Sequence, residues 1–251
     1  MSDALFDFTD KIVLVTGGSR GLGKAMALAF AQRGADVIVA SRKLDNCQEV
    51  VTQIEALGRR GLAHACHIGH WDEVEGLADA AYAEFGRVDV LINNAGMSPL
   101  YPSLVDVNEE LFDKVIALNL KGPYRLSALI GTRMAEGEGG SIINISSTAS
   151  VSPSPDSEPY GAAKAGLNNI TRSFAFAFGP KVRVNCVMAG PFLTDISHAW
   201  DMEAFEKRAT TTMALGRGGQ PEEIVAAALY LAGPGGSFTT GSIIRVDGGT
   251  R

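Results

Sequence analysis

A chain of 251 residues, 46% hydrophobic and 20% charged, is long enough for one α/β domain around a single core. Its net charge of −6 argues against nucleic acid or an anionic membrane surface as a partner. No apolar run approaches the ~20 residues that span a bilayer, and the acidic opening MSDALFDFTD does not read as a signal peptide. Cys47, Cys66 and Cys186, odd in number and widely spaced, fit reduced thiols in a cytoplasmic protein.

Residues 1–10 read as a loosely packed arm. The apolar run Lys11-Ile-Val-Leu-Val15 suggests a buried parallel strand, and it leads straight into Thr16-Gly-Gly-Ser-Arg-Gly-Leu-Gly23. Gly17, Gly21 and Gly23 follow GxxxGxG rather than GxGxxG. The physics is shared: glycines permit a tight turn, close backbone approach to a pyrophosphate, and packing of the next helix on the strand. A helix over 22–33 then offers its N-terminal dipole to the phosphates. Alone, such a loop can be a plain turn, but its place between strand and helix favours the cradle.

The run 36–40 is a second strand, followed by Ser41-Arg-Lys43. NAD sites commonly place an acid here for the ribose 2′-hydroxyl, and none is present. Arg42, with Arg20 from the glycine loop, suits a 2′-phosphate; two solvated arginines are the alternative. A third strand over 61–66 ends in His67. His64, His67 and His70 do not share a face on a strand running into a loop, so no metal site is expected.

A helix over 71–85 carries Asp72 and Glu73 in its first turn. The run 88–92 is a fourth strand, ending in Asn93-Asn-Ala-Gly96. A long helix over 109–134 is interrupted at Gly122-Pro123, and Asn119 in its middle favours a local bend. The apolar run 141–145 precedes Ser147, and thirteen positions later Tyr160 opens a helix in which Lys164 lies one turn on. Side chains at i and i+4 share a helical face, so phenol and ammonium are neighbours. An ammonium favours the phenolate, which would pull the tyrosine down from its usual value of about 10 and make it a usable general acid/base. The same spacing also occurs on ordinary solvated helices.

In that helix Phe174 and Phe178 share a face while Phe176 points elsewhere, which suggests a partner helix as cover. A strand begins over 181–185 and continues into Val187-Met-Ala-Gly-Pro-Phe-Leu-Thr194. The segment 195–215 is irregular and carries Ile196, His198, Trp200, Met202 and Phe205, an apolar lid or plain core. Gln220-Pro-Glu-Glu-Ile224 opens a last helix, and 241–249 is the final strand. Alternating strands and helices make a single domain with a doubly wound parallel sheet and helices on both faces.

Taken in order and spacing, the glycine loop, Asn93–Gly96, Asn119, Ser147 and Tyr160-x-x-x-Lys164 resemble the short-chain dehydrogenase/reductase family, from Lys11 to Gly249. The look is nearest to its NADPH-dependent carbonyl reductases. The resemblance implies a Rossmann-type sheet of about seven strands and hydride transfer between a nicotinamide and a small-molecule ketone or secondary alcohol. It implies NADP(H), with NAD(H) possible, and a homotetramer or homodimer. By the same likeness Tyr160 exchanges the proton, Ser147 holds the oxygen, Lys164 tunes Tyr160 and binds ribose, and Asn119 anchors a relay water. Cofactor contacts fall on Gly17, Ser19, Arg20, Gly21, Leu22, Gly23, Ser41, Arg42, His67, Ile68, Asn94, Ala95, Gly96, Tyr160, Lys164, Gly190, Phe192 and Thr194. The family usually has Asp where His67 stands and Pro-Gly where Ala189-Gly190 stands, and it uses 195–215 as substrate lid. A 3-oxoacyl-acyl-carrier-protein reductase is the second reading, although the lid's Asp195, Asp201, Glu203 and Glu206 ill suit an acidic carrier. A non-catalytic cofactor sensor or scaffold is the third.

Overall fold

The apolar runs form one seven-stranded sheet in the order β3-β2-β1-β4-β5-β6-β7, in a computed structural model that describes residues 4–152, 156–195, 197 and 200–251. The strands are β1 (Ile12–Thr16), β2 (Asp36–Ser41), β3 (Gly61–Ala65), β4 (Val90–Asn93), β5 (Gly140–Ser147), β6 (Val182–Ala189) and β7 (Ile243–Val246), and every pairing is parallel. Parallel strands need crossovers. These are supplied by α1 (Gly21–Gln32), α2 (Leu44–Ala56), α3 (Trp71–Phe85), α4 (Glu109–Ile116), α5 (Gly122–Glu136), α6 (Glu158–Phe178), α7 (Met202–Thr212) and α8 (Val225–Ala232).

Successive side chains point to opposite faces of the sheet, and both faces are covered, so the central strands are buried at nearly every position. Val13, Val15, Val37 and Val39 pack under Met26, Phe30, Val50 and Ala228 on one face. Leu14, Ile38, Leu91 and Ile142 pack under Leu77, Leu126 and Ile130 on the other. The chain winds outward from β1 in both directions, so β1 and β4 are the point where strand order reverses. In such sheets a crevice opens there beyond the carboxyl ends of the strands.

Two expectations need correction, the loose arm and the place of the helix break, and others gain detail. Residues 4–10 are not a loose arm: Ala4–Phe6 is a 3₁₀ turn, and Phe8, 2% exposed, meets Phe30 edge-on at 4.7 Å. An aromatic ring that finds a socket beside α1 is held by the area it removes from water. The stretch 44–56, given no element from the sequence, is α2, with Val50, Val51 and Ile54 buried. The long helix breaks earlier than Gly122: a π turn, Ala117–Lys121, separates α4 from α5. Pro123 has no N–H for the carbonyl of Asn119 four residues before it, which favours a wider turn there. Phe174 and Phe178 lie with ring centroids 5.2 Å apart, whereas Phe176 is 89% exposed. The segment expected as a lid contains α7 under a small cluster of its own, built on Phe205, Ala209 and Met213. Ile196 and His198, read as lid residues, lie outside the described residues.

Candidate active site

The glycine loop is welded to the end of β4. Thr16 Oγ1 accepts from the backbone N–H groups of Asn94 (3.0 Å) and Ala95 (3.1 Å). The Asn94 amide donates to the carbonyls of Thr16 (3.1 Å) and Gly17 (3.2 Å). Gly17 sits at φ 62°, a left-handed conformation that favours glycine. A Cβ at Gly23 would lie 2.2 Å from the Gly17 carbonyl oxygen, so only glycine lets the helix start this close to the loop. At Gly21 the same position falls 3.3 Å from the Thr194 methyl, which brings the loop after β6 against the loop after β1. Between them is a cavity of ≈ 350 Å³ lined by Gly21, Lys24, Leu193 and Thr194 among others. A larger cavity, ≈ 440 Å³, lies at the opposite edge of the sheet, against Asp89, Gly140 and Arg183 and away from every motif above.

Behind the crevice a polar seam ties sheet to helices. The Asn93 amide donates to Ser127 (2.8 Å) and Asn144 (2.9 Å), and the Asn144 amide donates to Thr171 on α6 (2.9 Å). Buried amides of this kind are stable only when partnered.

Asn119, fully buried in the π turn, donates to the carbonyls of Met97 (2.9 Å) and Val115 (2.9 Å) and accepts from the Met97 N–H (3.2 Å). A Cβ at Gly96 would fall 2.7 Å from Asn119 Oδ1 and 3.5 Å from Lys164 Nζ, so these two side chains converge where Gly96 leaves room. Lys164, 3% exposed, donates to the Ile145 carbonyl (2.8 Å), and its Nζ lies 5.7 Å from the centre of the Tyr160 ring. The Ser147 hydroxyl lies close enough to the Tyr160 phenol to pull its pKa down. Ser147 is also the N-cap of the turn Thr148–Ser150, accepting from the Ala149 N–H (3.2 Å). Asn119, Ser147, Tyr160 and Lys164 are thus brought together, from the π turn, the end of β5 and α6, at the carboxyl edge of the sheet.

The electrostatics differ from the expectation of a phenol pulled down by its lysine. Burial pushes Tyr160 up, and the Ser147 hydroxyl pulls it part of the way back. Lys164 is itself lowered to about 8 by burial. Its ammonium is turned to a backbone carbonyl, and it is held charged at neutral pH in a nearly dry setting.

At the end of β2, Arg42 is exposed, as is Arg20 at the N-cap of α1, and among the described residues neither has an ion-pair partner. Register pairs Ser41 with Ala65, which sets Arg42 beside the turn holding His67 and Ile68. His67 stacks on His70 with ring centroids 4.2 Å apart, and Glu73 accepts from the His67 N–H (2.6 Å) and pairs with His70 Nδ1 (2.6 Å). Burial, then His70 and Arg42, lower the His67 imidazole. Ile68 is 3% exposed and its carbonyl lies against Gly122, where a Cβ would come within 1.9 Å. Across the crevice Gly190 packs on Asp247, Phe192 is buried, and Ser197 Oγ donates to the Thr194 carbonyl (2.7 Å). Sequence reasoning missed Thr16, although a Thr between an apolar strand and a glycine loop was a usable sign. It also missed Tyr101 and Glu158, whose contact crosses 57 positions and left no local trace.

Comparison with known proteins agrees with this geometry. The family model described as "Enoyl-(Acyl carrier protein) reductase" matches residues 17–251. The human "Dehydrogenase/reductase SDR family member 4" is 34% identical over 243 residues, covering 96% of this chain and 87% of that protein. A structure of 7α-hydroxysteroid dehydrogenase complexed with NADH and 7-oxo glycochenodeoxycholic acid superposes with TM-score 0.94 at 33% identity, covering 100% of this chain and 98% of that one. NADPH-dependent 3-quinuclidinone reductase from Rhodotorula rubra does so with TM-score 0.92 at 28% identity, covering 98% and 93%. The chain belongs to the short-chain dehydrogenase/reductase family of oxidoreductases.

Proposed function

We propose that this chain is an NADP(H)-dependent oxidoreductase acting on a ketone or its secondary alcohol, with Tyr160 as general acid/base. The observation that carries the reading is the convergence of Asn119 and Lys164 on Gly96, with Lys164 Nζ 5.7 Å from the centre of the Tyr160 ring. The crevice suits a dinucleotide: a Cβ at Gly17 or Gly23 would collide with its surroundings, which leaves backbone open there, and α1 presents its N-terminus beside them. Gly17, Ser19, Gly21, Leu22 and Gly23 would hold the pyrophosphate; Arg20, Ser41 and Arg42 the 2′-phosphate; His67 and Ile68 the adenine; Asn94, Ala95 and Gly96 the adenosine side. Gly190, Phe192 and Thr194 would hold the nicotinamide, with Tyr160 and Lys164 on its ribose. When bound, NADP(H) supplies or accepts the hydride.

The remaining chemistry belongs to the chain. Ser147 fixes the carbonyl oxygen within reach of the phenol, and Tyr160 gives that oxygen a proton as negative charge develops on it. The charged Lys164 stabilises the phenolate left behind, and Asn119 holds the path by which solvent returns the proton. The Lys164–Tyr160 separation shortens the list of rivals: no other ammonium is set this close to a phenol beside a strand-end serine among the described residues. The segment 195–215 acts as substrate lid, and the protein works in the cytoplasm as a homotetramer or homodimer; no helix among the described residues is long and apolar enough to cross a membrane.

The matching family description favours an acyl-carrier-protein thioester as second substrate class. Glu203 and Glu206 on α7, against Lys207 and Arg208, leave that helix without the basic excess an acidic carrier wants. An NADPH-oxidation screen across ketones, quinones, steroids and acyl thioesters decides between them. Turnover of free ketones supports the reading, and no turnover with any carbonyl rejects it.

A further inference from the structure

The helix that carries Tyr160 begins poorly protected. Its N-cap, Ser157, makes no side-chain cap, Pro159 has no N–H, and the first bond within the helix runs from the Gly161 N–H to the Ser157 carbonyl (2.8 Å). Unpartnered N–H groups at a helix start fray or find a partner elsewhere. Here the partner comes from 57 residues upstream: the Tyr101 phenol accepts from the Glu158 N–H (2.8 Å) and donates to Glu158 Oε2. One hydroxyl thereby caps the turn in which Tyr160 stands and grips the side chain of its first residue.

The other end of the Tyr101 loop is also bound. Met97, four residues earlier, exchanges hydrogen bonds with the Asn119 side chain (3.2 and 2.9 Å). Residues 97–101 therefore form a strap between the π turn that holds Asn119 and the first turn of α6. Leu100 on the strap is 73% exposed.

We propose that Tyr101 is a positioning residue for the reaction: through Glu158 it fixes the first turn of α6, and with it the placement of the Tyr160 hydroxyl against the substrate oxygen. The inference rests on the carbonyl reduction proposed above. Small displacements of a reacting group are costly, because proton transfer needs hydrogen-bond geometry. A cap that served stability alone would not touch the rate of the folded enzyme.

The test is Tyr101→Phe, which keeps the ring and removes both hydrogen bonds, with Glu158→Gln as the conservative partner that keeps an acceptor oxygen and the backbone N–H. Hydrogen exchange of the amides of residue 158 and of residues 160–162, measured on the protein alone, should quicken in Tyr101→Phe and stay near wild type in Glu158→Gln. With the best carbonyl from the screen, kcat should fall about tenfold in Tyr101→Phe while KM for NADPH is unchanged. Unchanged kcat overturns the proposal, whatever the melting temperature does, and so does a fall in kcat without faster exchange at those amides. If the wild type reduces no carbonyl, the proposed activity fails; exchange still reads the strap, and unaltered exchange then overturns the positioning role as well.

Discussion

Gly96 and Asn119 are in such close contact that a Cβ on the glycine would stand 2.7 Å from the amide oxygen. The same methyl would reach 3.5 Å from Lys164 Nζ. Gly96→Ala should therefore push Asn119 or Met97 aside, at a cost of about 1–3 kcal/mol for overpacking a filled site. Chemical denaturation reads the stability loss. Turnover should drop by more than the loss of folded protein explains, because Asn119 is displaced beside Lys164. An alanine variant with wild-type kcat would show that this convergence is not needed.

Tyr160→Phe removes the hydroxyl and leaves the ring. A positioned acid/base contributes typically ~10²–10⁴-fold, so kcat should fall in that range. NADPH titrated by fluorescence should lose far less than turnover does, since the ribose gives up the one contact of the phenol and keeps Lys164 and the rest of the crevice. Full retention of kcat would refute the mechanism.

Arg42 and Arg20 stand exposed and without ion-pair partners among the described residues. A 2′-phosphate offers them charge-assisted bonds of about 1.5–3 kcal/mol each, softened by the exposure of the site. Wild type should prefer NADPH to NADH by roughly tenfold or more. Arg42→Asp should reverse the order by repelling the phosphate and supplying an acceptor to the ribose. Equal kcat/KM for both cofactors in the unmodified enzyme would mean that the arginines are merely solvated.

The buried ammonium has a signature in stability. Burial lowers Lys164 from 10.5 to about 8, so between those values the unfolded chain binds a proton that the native state has lost. Stability contributed by this group rises with pH across that window, and the penalty is full below it. Compared with Lys164→Met, wild type should gain about 2 kcal/mol in unfolding free energy between pH 7 and pH 9.5. Urea titrations of both proteins at the two pH values measure it. A difference that stays flat would place the ammonium in water.

Phe176 is 89% exposed on a helix whose neighbouring rings, Phe174 and Phe178, are packed. An exposed aromatic of that size on a regular helix fits a symmetric interface. Light scattering at micromolar concentration should give a tetramer or dimer, and Phe176→Asp should lower the mass. A wild-type monomer would reject the assembly.

Much of this site was legible because its residues follow strand ends, and a parallel sheet brings all such ends to one edge. Gly17, Gly21 and Gly23 announced a tight turn by composition alone. What the sequence hid is contact across distance. Nothing local says that Tyr101 reaches Glu158, or that Gly96 makes room for Lys164. The tyrosine's acidity was misjudged for a related reason: spacing on a helix gives the neighbour, whereas burial is set by everything packed around it, and here burial outweighs the neighbour. The π turn at Ala117–Lys121 was visible as a disturbance near Asn119, but its form needed the proline's missing donor and the Met97 contact together. Phe8 was overlooked because a short, partly acidic opening looks frayed until the socket beside Phe30 is seen.

The cluster of Phe205, Ala209 and Met213, with Leu193, Trp200 and Met202 against it, is separate from the two cores that sandwich the sheet. A segment with its own small core can be recut without loosening the strands behind Asn119, Ser147, Tyr160 and Lys164. Descendants of this chain are free to exchange α7 and its flanks almost as a cassette. On the lid role proposed above, substrate range could drift quickly around a fixed site, so two close relatives agreeing at Ser147, Tyr160 and Lys164 need share no substrate at all.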